Sequence, residues 1–400
     1  MKLSWPIKKL VDVCEIIESG IKPFDGEKEY IDTNSVQNFS IIKRQLITYN
    51  KRPSRANMEV KADDVLVAKM ADTLKVYLAT SQDEKKRIFS TGFFVLRPKK
   101  ELIEPKYLFL YCASDLFQNL KDELARGSTQ KALNDEKLKK YFEISLPPLE
   151  IQKKIVAKIE ELFEKIDKAK ELREKALEET EQIFQSALQE IFDKAEKKWK
   201  FQKLEDIVIE FQSGFACSER ATKNTGIPQL RPNNIGFNGE IDLSNLVFIP
   251  FKLTDLNKYN LKKGDVLFNN TNSKELVGRA ALIKQDLDWV FSNHITRIRV
   301  NSRILSPEWL VVNMNYLWKI GYFLKISQKW IGQAGINTQM LKSIEIPLPP
   351  LPEQKKIVAY LDNLREKVEK LKKLQEEQLK DLEELKNSIL DKAFKGELLY

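Results

Sequence analysis

Residue types that often carry enzymatic chemistry are sparse in this chain of 400 residues. His294 is the only histidine, which excludes a site with several histidine ligands and leaves histidine acid–base catalysis dependent on one side chain. The run around it predicts a β-strand, and its neighbours Ser292 and Asn293 favour a structural or surface role. Histidine chemistry is therefore an unattractive basis for function here.

Sequence motifs for nucleotides and methyl transfer are also absent. The chain contains neither a GxxxxGK[ST] phosphate loop nor a GxGxxG turn. A methyltransferase acting on adenine amino groups would carry an Asn/Asp-Pro-Pro-aromatic tetrad, but both Pro-Pro pairs, at 147–148 and 349–350, lie in Leu-Pro-Pro-Leu. We therefore expect no catalytic residue, cofactor site or metal site in this chain.

Cysteine usage and the absence of long apolar runs indicate where the protein works. The cysteines are odd in number and form no CxxC pair, which favours neither a disulfide framework nor a zinc knuckle: Cys14, Cys112 and Cys217. No apolar signal region follows Met1, and the most apolar stretch, 309–323, is interrupted by polar residues well short of the ~20 residues that cross a membrane. We expect a cytoplasmic protein without membrane segments.

Polar loops remain as candidates for chemistry, and the chemistry that suits them is DNA contact. Arg, Lys, Asn, Gln, Ser and Thr bind phosphates and read base edges. The strongest candidates are Arg126, Ser128, Thr129, Gln130 and Lys131 in one loop, and Gln333, Asn337, Thr338 and Gln339 in another. The weaker candidates are Lys22, Arg231, Asn233, Asn234, Asn270 and Lys274. Helix caps or ordinary turns would explain the same residues, so both interpretations stay open.

The elements that must position these loops occur twice. EISLPPLEIQKKIVAKIE at 143–160 returns as EIPLPPLPEQKKIVAYLD at 345–362, and FSTGFFVLRPK from Phe89 returns as FSNHITRIRVN from Phe291. Both matches are offset by 202 residues. Because this period is too long for a solenoid repeat, it indicates duplication of a complete module.

Each module divides at its Leu-Pro-Pro-Leu segment. Short apolar runs before it, such as DVLVA at 64–68 and ITRIRV at 295–300, predict strands between turn-forming clusters. After it, about forty residues without Pro or Gly predict one long helix of roughly 60 Å. The predicted fold class is α+β, with segments 1–150 (domain), 151–198 (helix), 199–350 (domain) and 351–400 (helix).

Both predicted helices carry apolar residues at alternating spacings of four and three. The seam positions are 155, 159, 162, 166, 169, 173, 176, 180, 183 and 187 in the first helix and 357, 361, 364, 368, 371, 375, 378, 382, 385 and 389 in the second. This rhythm is typical of a coiled coil, and two separate solvated helices would not explain its presence in both copies. The short connection at 194–200 makes the pairing antiparallel and the whole chain pseudo-twofold.

The net charge of +9 belongs to the two predicted domains. Residues 1–150 carry +4 and residues 199–350 carry +6, whereas the two helical segments carry −1 and 0. A polyanionic partner is therefore expected at the domains, and not along the helices.

The doubled (I/L)PLPPL and KKIVA segments, each followed by a heptad helix, resemble the specificity subunit of type I restriction-modification systems. Supporting pieces are Tyr30-Ile-Asp-Thr-Asn-Ser-Val, Gln229-Leu-Arg-Pro-Asn-Asn-Ile, Lys263-Gly-Asp-Val-Leu-Phe and Phe394-Lys-Gly-Glu-Leu. The first copy departs in two places, with Glu150-Ile-Gln where the second has Pro352-Glu-Gln, and with Asp63-Asp64 where the second has Gly264-Asp265.

The resemblance implies a noncatalytic DNA-binding subunit. Each domain would be a target recognition domain that reads one half of a bipartite sequence in double-stranded DNA, and the helices would separate the domains and dock two methyltransferase subunits. Restriction subunits would join this core, and S-adenosylmethionine, ATP and magnesium would belong to the partners. The alternatives are a stand-alone DNA-modifying enzyme and a structural coiled-coil protein with basic domains.

Overall fold

The computed structural model describes residues 5–126, 131–253 and 255–398. The chain divides into two compact units, one formed by Met1–Ala176 with Leu374–Tyr400 and the other by Leu177–Lys373. Each unit therefore contains one globular domain and a portion of both long helices.

The first globular domain is built from short strands and helices. Its strands are β1 (Ile7–Lys9), β2 (Cys14–Ile16), β3 (Lys28–Ile31), β4 (Val36–Gln37), β5 (Ser40–Ile41), β6 (Gln45–Ile47), β7 (Ala56–Met58), β8 (Val65–Ala68), β9 (Val76–Leu78), β10 (Arg87–Ser90), β11 (Phe93–Pro98) and β12 (Glu143–Ser145). Its helices are α1 (Leu10–Val13), α2 (Ser81–Lys86), α3 (Pro105–Ala113), α4 (Asp115–Arg126) and α5 (Asp135–Tyr141). The mixed content confirms the predicted fold class.

The second globular domain has a corresponding set of elements. Its strands are β13 (Phe201–Lys203), β14 (Val208–Ser213), β15 (Gly226–Leu230), β16 (Val247–Pro250), β17 (Val266–Asn269), β18 (Thr271–Asn272), β19 (Ala280–Leu282), β20 (Val290–Phe291), β21 (Ile295–Val300), β22 (Gln328–Trp330), β23 (Gln333–Gly335) and β24 (Glu345–Pro347). The long first helix α6 (Leu149–Lys198) precedes them, and the second long helix α12 (Leu351–Phe394) follows them. Between lie α7 (Leu204–Ile207), α8 (Leu256–Tyr259), α9 (Pro307–Lys319), α10 (Tyr322–Ile326) and α11 (Thr338–Lys342).

The sheets confirm the internal repeat. The order β2-β11-β8-β9 in the first domain matches β14-β21-β17-β19 in the second, and β1-β12 matches β13-β24. A parallel pair, β3 with β10 and β15 with β20, occurs in each domain. A bidentate ion pair also repeats in the four-stranded sheets, since Arg97 binds Asp64 at 2.8–2.9 Å and Arg299 binds Asp265 at 2.7–3.1 Å.

A buried glutamine joins each domain to its long helix. The Gln152 side chain donates to the carbonyls of Leu102 (3.0 Å) and Pro147 (2.8 Å) and accepts from the amide of Glu104 (2.8 Å). Gln354 repeats the arrangement, donating to Ile304 and Pro349 and accepting from Ser306, each at 2.8 Å. Both side chains are fully buried, so the start of each helix is fixed against the loop that precedes α3 or α9.

The two long helices run antiparallel, as predicted. In the first unit Lys170 pairs with Glu383, and Asp167 pairs with Lys386. A residue nearer the start of α6 therefore pairs with a residue nearer the end of α12. In the second unit Glu181 pairs with Lys372 at 2.9 Å in the same register. The helices contain 50 and 44 residues, or about 75 and 66 Å, and so exceed the expected 60 Å.

The seam prediction holds for much of each helix, but five of its positions are exposed: Arg173 and Ile183 in α6, and Leu371, Gln378 and Leu385 in α12. Ile166, Thr180, Leu361 and Val368 are buried, but Ile183 and Leu385, the same position of the repeat, are 42% and 47% exposed. The neighbouring residues turn inward instead because this end of each helix packs against a globular domain. A helix packed on a domain follows the 3.6-residue period of an undistorted helix, and the buried face therefore leaves the heptad.

Within the described residues, no helix is sufficiently long and apolar to span a membrane.

Candidate nucleic-acid interface

In the second domain, two arginines approach each other where β14 and β15 end. The Arg231 guanidinium donates to the Cys217 carbonyl (3.3 Å) and to Gln229 (3.4 Å), and its Nε is buried without a hydrogen-bond partner. Arg220, which is exposed, contacts the carbonyls of the same loop. Burial and, after it, the charge of Arg220 lower the pKa of Arg231, and among the described residues neither guanidinium forms an ion pair. Two unneutralised arginines at a loop suit a phosphate.

In the first domain, cations stack on aromatic rings beside the four-stranded sheet β6-β3-β10-β7. Arg52 lies 4.0 Å from the Tyr49 ring centre and Lys28 lies 5.0 Å from that of Phe24, while the two rings pack edge to face. The Phe24 loop carries the predicted DNA-contacting residue Lys22, whose side chain is exposed. The two rings hold Arg52 and Lys28 beside this loop, where their charges are available to a phosphate.

The sequence candidates omitted the most basic stretch of the first domain. Residues 33–58 contain five basic and no acidic residues, and four of the five are exposed: Lys43, Arg44, Lys51 and Arg55. A charge count over a window of about 25 residues would have revealed them, whereas the charge of the whole domain dilutes them to a modest excess. This stretch forms β6, β7 and their connection, at the two edges of the sheet.

A second basic stretch lies in the other domain. Residues 309–344 contain four lysines and no acidic residue. The segment includes the hairpin of β22 and β23. Strand β23 pairs with β22 on one side and with β18 on the other. The predicted contacts Gln333, on β23, and Lys274, in the loop after β18, are both exposed on these connected elements. The structure therefore brings these two candidates to one part of the domain.

Several amides chosen from the sequence serve the fold instead. Asn270 is 7% exposed and donates to Thr296 (2.9 Å), and Asn234 is 1% exposed and donates to the Asp242 carbonyl (2.8 Å). Asn337 caps α11 by accepting from the amide of Met340 (2.9 Å), which is the cap interpretation left open above. A base edge could bind Asn270 or Asn234 only if these internal bonds opened.

The other candidates lie at the surface. Asn233 is exposed in the turn after β15, and Thr338 and Gln339 begin α11. Arg126, at the end of α4, is exposed and forms an ion pair with Asp72, and Lys131 is exposed with a positive φ of 49°. Ser128, Thr129 and Gln130 lie outside the described residues. DNA contact by these residues stays a prediction.

The only histidine is not in a strand, so that expectation was wrong. His294 lies in the turn between β20 and β21, and its carbonyl accepts from the Asn270 amide at 3.0 Å. Within residues 5–126, 131–253 and 255–398, no cluster of three or more His, Cys, Asp or Glu side chains could hold a metal ion. The exposed cations and amides of the two domains are suited to binding a nucleic acid.

Comparison with known proteins identifies the repeated domain. The family model described as the type I restriction modification DNA specificity domain matches the chain twice, at residues 2–179 and 196–380. The two matches cover most of the chain and follow the duplication seen in the sheets.

Named relatives match most of the chain. The type I restriction enzyme EcoKI specificity subunit of Escherichia coli K12 is 27% identical over 386 residues, covering 92% of this chain and 82% of its own. The MjaVIII specificity subunit of Methanocaldococcus jannaschii is 30% identical over 340 residues, covering 78% and 75%.

Solved structures show the same architecture. A chain from a structure concerned with complex assembly and conformational transition of the type I R-M system has a TM-score of 0.76 at 28% identity, with 99% of this chain and 98% of that chain covered. The HsdS subunit of Thermoanaerobacter tengcongensis has a TM-score of 0.68 at 28% identity, with coverage of 99% and 97%.

Proposed function

The chain belongs to the type I restriction-modification DNA specificity family, and from this membership we propose that it reads a bipartite DNA target with one half-site for each domain. It acts as the DNA-recognition subunit of a multisubunit restriction-modification enzyme. The observation that carries the bipartite proposal is the duplication itself: two copies of one domain, each with its own basic surface, are attached to antiparallel helices at equivalent points.

The exposed cations and the exposed amides have different roles in DNA binding. Exposed lysines and arginines at 33–58 and 309–344, and the pair formed by Arg220 and Arg231, bind phosphates and set the register. Gln333 and Asn233 read base edges in this proposal, which their exposed amides support. The internal amides Asn234 and Asn270 hold the loops that present these side chains.

The chain itself carries no catalysis in this proposal. Two methyltransferase subunits and the restriction subunits supply it, together with S-adenosylmethionine, ATP and magnesium, and the complex works in the cytoplasm. A cleft of about 780 Å³ in the second unit supports subunit docking on the helices, because apolar side chains of α6, α9 and α12 line it: Phe184, Leu188, Val311 and Val358. Charged side chains, among them Lys319, Asp362 and Arg365, also line the cleft, so it suits a partner that presents an apolar side chain beside charged ones.

Exchange of one domain tests the bipartite proposal. Replacing residues 1–150 with the corresponding domain of another family member, in cells that contain the complete enzyme, is expected to change one half of the methylated sequence and to retain the other half and the gap. Sequencing of methylated adenines across the genome measures the outcome. The matched control replaces residues 199–350 and is expected to change the opposite half. A change in both halves after either exchange would contradict one half-site per domain.

A further inference from the structure

The hairpin of β22 and β23 carries an isoleucine at its tip. Ile331 is 104% exposed, compared with 72% for Ile209, the next most exposed large apolar side chain among the described residues. The two-residue turn is Ile331-Gly332, and Gly332 has a φ of 75°, which an L-residue adopts only with strain. The turn therefore projects an aliphatic side chain fully into solvent.

The base of this hairpin is fixed. Ala334 and Ile336, which follow the tip, are buried in the main core of the second unit. The amide of Ile336 donates to the carbonyl of Asn270 (2.8 Å), and β23 pairs with β18 on its other side. Because the strands next to the tip are anchored by both hydrogen bonds and core packing, the tip is held in place and does not belong to a free loop.

Exposed lysines lie on the elements that adjoin the tip, together with one exposed carboxylate, Glu275 after β18. Lys329 on β22 and Lys274 after β18 are exposed, and the segment 309–344 that contains the hairpin has four lysines and no acidic residue. The strands add the exposed amides of Gln328 and Gln333. This combination of an apolar tip and basic, amide-bearing flanks is complementary to DNA, whose apolar base stack lies inside a polyanionic backbone.

We propose that Ile331 is a wedge that inserts between two base pairs of the half-site bound by the second domain. Lys329 and Lys274 bind the flanking phosphates while the isoleucine unstacks one base step and bends the DNA locally. Insertion transfers the side chain out of water and offsets part of the cost of unstacking. The proposal rests on the DNA-reading function proposed above.

The wedge belongs to one domain only. The caps Asn134 and Asn337 are equivalent, and counting back six residues along the sequence from each gives Ser128 in the first copy and Ile331 in the second. The segment Gly127-Ser-Thr-Gln130 lies outside the described residues, and its sequence contains no large apolar side chain. Distortion is therefore expected at a single half-site, and the other half-site provides an internal control.

Fluorescence of 2-aminopurine tests the wedge. The full chain, assembled with its methyltransferase subunits, is mixed with duplexes that carry the probe at successive positions of both half-sites. The expected result is a rise in fluorescence at one step of the half-site read by the second domain, away from any adenine that the methyltransferase subunits turn out of the stack for methylation. Ile331→Ser is expected to abolish this rise and to weaken DNA binding about tenfold, while Ile331→Leu retains both. Leu324→Ser, in the same lysine-rich segment but on α10, is the matched control and is expected to leave the rise intact.

The outcomes separate the wedge from the function on which it rests. Bound duplexes that show no such rise, or a rise of this kind that persists in Ile331→Ser, would overturn the wedge and leave DNA recognition standing. Loss of methyltransferase assembly in Ile331→Ser, with the rise retained, would assign the tip to a protein partner. Failure of the wild-type complex to bind any split site preferentially would instead overturn the proposed function.

Discussion

Asp83 shows how single residues stabilise the first domain. Its carboxylate is fully buried and accepts hydrogen bonds from Tyr77 (2.9 Å), from the Thr80 amide (2.6 Å) and from Arg87 (2.5 Å). Burial alone would raise the pKa of this carboxyl, but the hydrogen bonds from Thr80, Arg87 and Tyr77 outweigh it and hold the pKa below its ordinary value. The ionised form is therefore the one that the fold stabilises.

We predict that Asp83→Asn destabilises the first domain at neutral pH by about 1–3 kcal/mol. Because the pKa of Asp83 is lower in the folded than in the unfolded chain, its contribution is complete above the unfolded value and is lost as pH falls through the folded value. The difference between wild type and variant should shrink below about pH 4. Amide hydrogen exchange of peptides from residues 77–98 measures it.

The matched control for this variant is Asp63→Asn, since Asp63 pairs with Lys100 at the surface. An exposed pair contributes little, so the control is expected to shift exchange by less than about 1 kcal/mol. A wild-type advantage over Asp83→Asn that is constant between pH 7 and pH 3 would rule out the ionised carboxylate as its source.

At the scale of single residues, the sequence identifies the polar side chains of the loops but does not show which role each one has. Asn234, Asn270 and Asn337 resemble base-reading amides in the sequence, but the first two are buried hydrogen-bond donors and the third is a helix cap. Short polar side chains satisfy loop backbones and bases with the same atoms, and only burial separates the two uses. Lys22 and Lys274, which the structure leaves exposed, stay candidates for DNA contact.

Among the elements, the junction between each domain and its helix depends on a buried glutamine. Each long helix begins at the last leucine of its Leu-Pro-Pro-Leu segment. The roles of Gln152 and Gln354 could not be inferred, because two of the three partners of each side chain lie about 50 residues earlier in the chain. The matched exposure of Ile183 and Leu385 has a related cause: a heptad count does not include the packing of a helix on a distant domain.

We predict that Gln354→Leu lowers the free energy of unfolding of the second domain by about 2–4 kcal/mol. Leucine keeps much of the volume but leaves the carbonyls of Ile304 and Pro349 and the amide of Ser306 without their partner. Tryptophan fluorescence in a denaturant titration reports the change, because five of the six tryptophans lie between residues 199 and 330.

The equivalent variant Gln152→Leu provides the control for this prediction. It should leave the tryptophan transition of the second domain in place, since its bonds lie within the first unit. Exposed Gln378 on α12 offers a further comparison, and its substitution by leucine should change stability by less than about 0.5 kcal/mol. Equal effects of Gln354→Leu and Gln378→Leu would show that the buried bonds contribute nothing specific.

For the whole molecule, the duplication was the feature most completely contained in the sequence. Segments that recur 202 residues apart fold into equivalent strands, equivalent ion pairs and equivalent helix junctions. Differences between the copies were less visible, because they arise from which side chain fills a given position. One example is a pair of equivalent positions at which the ring and the cation change places. Lys386 lies over the Phe163 ring in the first unit, whereas Arg365, equivalent to Phe163, lies over the ring of Phe184, equivalent to Lys386, in the second.

The register of the two helices allows a defined test of whether their length sets the gap between half-sites. Ion-paired residues of α6 and α12 follow one antiparallel register on both sides of residues 171–177, which face 376–382. These two facing segments, 171–177 and 376–382, are one heptad each. Deleting both removes about 10 Å from each helix and preserves the four-three spacing. Lys170 stays opposite Glu383, and Glu181 stays opposite Lys372.

We predict that this double deletion changes the gap preferred between the two half-sites by up to about 3 bp, at ~3.4 Å per base pair, without changing either half-site. Selection from duplexes with gaps of every length, using the assembled methyltransferase complex, measures the preference. Deleting 171–177 alone is the control, because it moves Glu181 away from Lys372 and should destabilise the helix pair without defining a new gap. If the double deletion folds, binds both half-sites and keeps the original gap, helix length does not set the spacing, and the connections within the partner subunits must set it instead.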